Sequence, residues 1–127
     1  MSSLAVKRVY APPEPDDGTR ILVDRLWPRG IARDKASIDL WLKDIAPSDA
    51  LRKRFHAKPE RWDDFRAAYA AELDGAAAAQ SAVKELRALL RRGTVTLLYA
   101  ARDEERNNAV ALKAWLARRK TRRGETR

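Results

Sequence analysis

The first thirty residues hold two stretches with strand character, separated by a loop. Val6-Lys7-Arg8-Val9-Tyr10 alternates and places β-branched and aromatic residues at the apolar positions, which predicts a strand. Arg20-Ile21-Leu22-Val23-Asp24-Arg25-Leu26 is more continuously apolar and predicts a second strand. It ends at Trp27-Pro28-Arg29-Gly30, where Pro28 has no N–H for a ladder and Gly30 tolerates positive φ. Residues 11–18 hold three prolines and a glycine and read as a loop. From Ser37 onward the period is helical. Ile38, Trp41, Leu42 and Ile45 recur at helix spacing behind Ser37 as candidate N-cap. Pro47-Ser48 opens a short helix with Leu51 and Phe55 on one face. Pro59 fits the first turn of a longer one, striped by Trp62, Phe65, Tyr69 and Leu73 and ended by Asp74-Gly75. Ala79, Val83, Leu86 and Leu90 stripe the next helix, which stops at Gly93. Thr94-Val95-Thr96-Leu97-Leu98-Tyr99-Ala100 is the clearest strand, apolar on both faces, and predicts a central strand covered by helices on both sides. Asp103 is placed to cap a last helix, with Glu104 and Glu105 in its first turn and Ala109, Leu112 and Leu116 on its inner face.

Strands followed by helices in this order predict an α/β fold: a small, mostly parallel sheet of about three strands covered by about five helices. The helical excursion before the last strand supplies the crossover a parallel pair needs. The Pro-rich loop after the first strand also fits a wide antiparallel hairpin. The 127 residues suit a single domain, drawn over residues 1–117, with a basic and disordered tail at 118–127.

Composition narrows the chemistry. With no cysteine and the single histidine His56, a disulfide framework, a thiolate zinc site, a cysteine nucleophile and a multi-histidine metal site are excluded. No other cofactor is evident; a carboxylate-bound magnesium stays open. His56, near a helix C-terminus, fits a role as a cation against the helix dipole better than one in catalysis. There is no G-x-G-x-x-G, G-K-[ST] or G-x-S-x-G, so the familiar ATP-driven and serine-hydrolase designs are absent. The start, Met1-Ser2-Ser3-Leu4-Ala5-Val6-Lys7-Arg8, lacks the apolar stretch of a signal peptide, and apolar runs are too short to span a membrane, so the expectation is a cytoplasmic protein without membrane partners. Net charge is +9, and residues 118–127 alone carry +5 of it, which opens a reading as a nucleic-acid-binding or regulatory module through the tail. A homo-oligomer is compatible with such a domain, and nothing in the sequence establishes one.

In open parallel sheets, ligands bind beyond the carboxyl ends of the strands. Two loops fit that description, Trp27-Pro28-Arg29-Gly30 and Ala101-Arg102-Asp103. They gather Arg25, Arg29 and Arg102 with Asp24, Trp27, Tyr99 and Asp103, and the last helix points its free N–H groups at the same space. Arginines at a helix N-terminus suit a phosphate or carboxylate, and Asn107 and Asn108 add hydrogen-bonding groups. Asp24 interrupts an apolar strand. It reads as a general base or ligand-orienting acid, or else as a structural ion pair with Arg25 or another arginine. The favoured expectation is a small anionic metabolite, bound or turned over at this site; whether the chain is an enzyme stays open.

From Arg20 through Gly30 the chain resembles the YeaO-like family of small bacterial proteins, a domain family of unknown function. Trp41-Leu42-Lys43-Asp44-Ile45-Ala46-Pro47-Ser48 agrees, as do Phe55-His56 with Trp62, Phe65, Tyr69, Glu72 and Leu73. Thr94 through Asp103 and Asn107-Asn108-Ala109 complete a similarity that runs from about Val6 to Leu116. The resemblance implies no particular reaction. Its patterned polar residues fall on Arg20, Asp24, Arg25, Arg29, Lys43, Arg102, Asp103 and Asn107. A more distant branch carries cysteines near the end of the third strand, and this chain has none. Many relatives carry Asn-His where this chain has Asn107-Asn108, and many place Asp before the helix-starting proline, where Lys58 stands here. Loss of that cap is expected to cost roughly 0.5–2 kcal/mol.

Overall fold

The computed structural model describes residues 3–35 and 37–125, with side chains as far as Arg118. Four parallel strands form its one described sheet: β1 (Leu4–Arg8), β2 (Thr19–Leu22), β3 (Leu40–Trp41) and β4 (Val95–Tyr99), in the order β1-β4-β2-β3. The α-helices are α1 (Asp49–Ala57), α2 (Trp62–Gly75), α3 (Ala77–Arg92) and α4 (Asn108–Glu125). The parallel α/β architecture is as expected, with one strand more and one helix fewer. β1 and β2 are parallel and separated by β4, so the Pro-rich loop closes no hairpin. That loop contains a single 3-10 turn, Pro15–Asp17.

The additional strand lies where a helix was expected over Ile38 to Ile45. The four apolar positions there do not share one face. Ile38 and Trp41 pack against Val9, Leu22 and Leu98, whereas Leu42 and Ile45 join the main core. Backbone pairing decides for the strand: the Asp39 N–H donates to the Arg20 carbonyl at 2.8 Å, and the Leu42 N–H to the Leu22 carbonyl at 2.9 Å. Ser37 has φ 51° and caps nothing; its carbonyl accepts from Arg20 Nε at 2.6 Å. Pro59 likewise starts no helix. Lys58 closes α1 by donating its N–H to the Arg54 and Phe55 carbonyls, and α2 begins at Trp62. The cap expected at Lys58 therefore has no helix to serve.

The helices cover one face of the sheet only, which corrects the expectation of helices on both sides of β4. Ile21, Val23, Val95, Leu97 and Tyr99 face the helices, with Phe65, Tyr69, Leu73, Leu86 and Leu112 packed over them. Leu22, Leu98 and Val9 face the other way and are closed by the connections out of β1 and β2, chiefly through Trp27, Ile31, Ile38 and Trp41. The chain thus advances across one face and returns through α1–α3 across the other. That route keeps one hand of crossover throughout.

Polar residues complete the loop-covered face. Register places Arg20 beside Thr96 and Lys7 beside Leu98. Asp17, folded back over them, accepts from Lys7 Nζ at 3.0 Å, from Arg20 Nη1 at 2.5 Å and from the Glu14 N–H at 3.0 Å. The Asp17 carbonyl accepts from Thr96 Oγ1 at 2.7 Å. Gly18 makes this approach possible. It has φ 65°, and a Cβ there would overlap the Thr94 carbonyl. Asp17, Arg20 and Thr96 are buried, so removal of one partner strands the others.

Burial alone would favour the neutral Asp17 carboxyl, but the Glu14 N–H, Lys7 and Arg20 outweigh it and hold the carboxyl at about 2. The folded value lies below the ordinary one, so the unfolded chain takes up the proton first and stability falls with decreasing pH between about 4 and about 2. Asp17→Asn should cost about 1–3 kcal/mol at neutral pH. It should also flatten that acid limb relative to the parent in urea denaturation across pH.

Candidate functional site

The Val23 N–H donates to the Leu98 carbonyl at 3.1 Å, so the ladder runs one residue past β2 and Asp24 is the first residue free of the sheet. Its carbonyl accepts from Trp41 Nε1 at 2.7 Å. Its Oδ2 accepts the Ala100 N–H at 2.9 Å, just beyond β4. Its Oδ1 accepts from Asn108 Nδ2 at 3.0 Å, and the same amide donates to the Val23 carbonyl at 3.0 Å. One carboxylate therefore ties together the ends of β2 and β4 and the start of α4. Burial pushes the Asp24 carboxyl up; Asn108, the Ala100 N–H and the charge of Arg52 pull it back without cancelling the shift.

Two helix N-termini meet at this edge. Ser48 caps α1, its Oγ accepting the Leu51 N–H at 3.2 Å and donating to Glu72 Oε2 at 2.6 Å. Asn107 caps α4, its Oδ1 accepting the Val110 N–H at 2.9 Å while its Nδ2 donates to the Asp103 carbonyl at 2.9 Å. Arg52, in the first turn of α1, donates from Nη2 to Asp49 at 2.7 Å. Its Nε is buried and has no hydrogen-bond partner among the described residues.

The remaining expected site residues divide. Arg25 does not pair with Asp24. Its Nε and Nη2 reach the Pro47 and Ala46 carbonyls at 3.1 and 3.2 Å, pinning the entry to α1. Asp103 does not cap α4. It closes a turn ahead of it, accepting the Glu105 and Arg106 N–H groups at 2.9 and 3.1 Å, and those bonds hold its carboxyl below the ordinary range. Asn107 is buried as a cap, so its side chain does not open into a pocket. Arg29 and Arg102 are exposed on the loops after β2 and β4, and among the described residues neither guanidinium enters a hydrogen bond or ion pair. The Tyr10 hydroxyl donates to the Arg29 carbonyl at 2.9 Å and draws that loop toward the end of β1. Arg20 lies in the ion network on the loop-covered face, and Lys43 stacks on Trp41 at 4.3 Å, so neither joins the Asp24 cluster. Among the described residues no group of three or more His, Asp or Glu side chains converges on a metal position.

Arg52 and Arg8 are the side chains that sequence reasoning missed. Arg8 donates to the Ala100 and Ala101 carbonyls at 3.1 and 2.9 Å and fixes the loop after β4. Arg52 carried a usable sign. A cation in the first turn of a helix opposes the macrodipole and needs a reason to be there.

Asn108→Ala leaves both Asp24 Oδ1 and the Val23 carbonyl without their donor. It should destabilise the domain by about 1–3 kcal/mol, read by chemical denaturation. Because Asn108 lowers the Asp24 carboxyl, its loss should move the Asp24 titration further upward, read by carboxyl-carbon NMR.

Comparison with known proteins places the chain in a family. The family model described as "Inactive DUF488-N3 subclade", DUF488-N3i, matches residues 3–127. The uncharacterized protein YeaO of Escherichia coli (strain K12) is 44% identical over 114 residues, 90% of this chain and 96% of that one. The uncharacterized protein Rv3073c of Mycobacterium tuberculosis (strain ATCC 25618 / H37Rv) is 46% identical over 107 residues, 84% of this chain and 87% of that one. No solved structure matches significantly. No helix among the described residues is long and apolar enough to cross a membrane. The chain belongs to the YeaO-like proteins of the DUF488-N3i family, the inactive DUF488-N3 subclade.

Proposed function

We propose that the chain binds a small phosphate- or carboxylate-bearing metabolite beside Asp24, at the carboxyl-terminal edge of the sheet, and does not turn it over. The observation that carries this reading is Arg52. One of its N–H groups is buried without an acceptor, close enough to Asp24 for its charge to act on that carboxyl. A buried donor without a partner costs about 1–3 kcal/mol, and an anion oxygen placed there removes the cost. Arg29 and Arg102, free on the neighbouring loops, supply further positive charge. The α1 and α4 N-termini favour the same sign of ligand.

Binding without turnover fits the side chains available. Asn108 donates to Asp24, at a position where the family resemblance implies histidine in many relatives. An imidazole in that place exchanges protons with a carboxylate; an amide only donates a hydrogen bond to it. The word "inactive" in the family description supports the same reading.

Thermal unfolding with inorganic phosphate, pyrophosphate and citrate at two salt concentrations tests the proposal. A ligand at 100 times its Kd stabilises by about 2.7 kcal/mol, a rise of several degrees for a domain of this size. The expected result is a salt-tolerant rise from at least one of these anions, lost in Arg52→Gln and Arg29→Ala. No rise from any of the three, or an equal rise in Arg52→Gln, overturns the site. Disappearance of the stabilising anion in a phosphorus or proton NMR time course overturns the claim of binding without turnover.

A further inference from the structure

Nearly all of the chain's net charge lies on two helical segments. Residues 84–92 carry +3 and residues 113–125 carry +5, together +8 of the total +9. The first segment is the carboxyl-terminal half of α3, and the second lies in α4. α3 leads into β4 and α4 follows it, so both helices run back from the Asp24 edge toward the opposite end of the sheet. Arg87 of α3 reaches over the Trp115 ring of α4, its guanidinium carbon 5.8 Å from the ring centre, and brings the two together. Arg91 and Arg92 lie about one turn beyond Arg87, and Arg118 about one turn beyond Trp115.

Most cations on α1 and α2 are paired, although the exposed Arg54 on α1 enters no ion pair among the described residues. On α1 and α2, Arg52, Lys53 and Arg66 each have an aspartate one turn away, and Arg61 at the start of α2 pairs with Asp64. Lys84, Arg91, Arg92, Lys113 and Arg118 are exposed and enter no ion pair among the described residues. Unpaired like charges on adjacent helices repel, and a polyanion relieves that repulsion. Arginine outnumbers lysine on both segments, and its planar fork matches phosphate oxygens.

We infer that the exposed cations of the carboxyl-terminal half of α3, with Lys113 and Arg118 of α4, form a sequence-independent binding face for the phosphate backbone of duplex nucleic acid. A lipid surface is disfavoured because Arg118-Arg119-Lys120-Thr121-Arg122-Arg123-Gly124-Glu125 offers no apolar side chain to insert. A single strand is disfavoured because it needs exposed rings on which bases stack. Trp115 is half-buried beneath Arg87, and the exposed Tyr10 lies beyond the carboxyl end of β1, at the other end of the sheet. This face is independent of the anion site beside Asp24.

The test is fluorescence anisotropy of two labelled 20-base-pair duplexes of unrelated sequence, titrated with the full chain at several salt concentrations. Both duplexes should bind alike, with log K falling linearly in log salt. The double variant Arg91→Gln/Arg92→Gln, at exposed positions, should bind more weakly and show a salt slope shallower by about 0.9 for each phosphate it no longer neutralises. Lys84→Gln, an independent single variant on the same helix, should move in the same direction. Arg52→Gln should bind duplex as the parent does, so this face and the Asp24 site fail separately. Unchanged affinity and slope in the double variant overturn the proposal. So does tighter binding to the matching single strand or to phosphatidylserine vesicles.

Discussion

Everything in this fold is arranged around the burial of β4. All five of its residues are buried, and it is hydrogen-bonded in parallel to β1 on one side and β2 on the other. A parallel strand must be entered from the same end as its neighbours, so each connection has to travel the length of the sheet. The long helical return through α1–α3 uses one face, and the short connections out of β1 and β2 use the other. Those connections carry only 3-10 turns, Pro15–Asp17 and Arg33–Lys35, and that face is closed chiefly by two tryptophans, Ile31, Ile38 and an ion network. The loops left at the carboxyl edge are then held by side chains, because no further secondary structure is available to hold them.

Arginine ties down loops at both edges of the sheet. Arg8, Arg20 and Arg25 each donate to backbone carbonyls that lie outside the ladders and the helices. A guanidinium suits the task because it offers several donors in a fixed plane and never loses its charge. The same property makes the remaining arginines informative. Where a basic side chain already satisfies carbonyls, it is part of the framework; where it stands exposed without a partner, as Arg29, Arg102, Arg91 and Arg92 do, the framework does not account for it. Residue type alone did not separate these two groups. Their separation depended on which carbonyls the fold left unpaired.

The pattern of apolar positions was sufficient for α2, α3 and β4, because each buries a single regular stripe or a continuous run. It failed at Ile38 to Ile45, where helical spacing arose from residues that pack on opposite faces of the sheet around an edge strand only two residues long. At the carboxyl edge, Asp24 and Asn108 lie together as the strand ends imply and a hydrogen bond joins them, while Arg25, Asp103 and Asn107 bond to a loop carbonyl, a turn and a helix end. Those three are the residue types favoured by anions and equally by helix ends and turns, and only the three-dimensional path of the backbone decides between the uses. Arg52 escaped notice because it lies 28 residues from Asp24 in the chain. No local pattern links a helix cation to a strand-end carboxylate.

Asp24 is a junction between the ends of β2 and β4 and the start of α4. Its two oxygens are engaged by a β4-end amide and by Asn108, and its backbone carbonyl holds the Trp41 indole. A carboxylate with these partners is required for the fold whether or not it reacts. Asn108 supplies the hydrogen bond that ties α4 to β2, and its amide is not a group that moves a proton. The Arg52 Nε is different: it is buried and has no hydrogen-bond partner among the described residues. At this edge the hydrogen bonds of Asp24 and Asn108 tie β2, β4 and α4 together, whereas Arg52 is held from one side, through its Nη2 on Asp49.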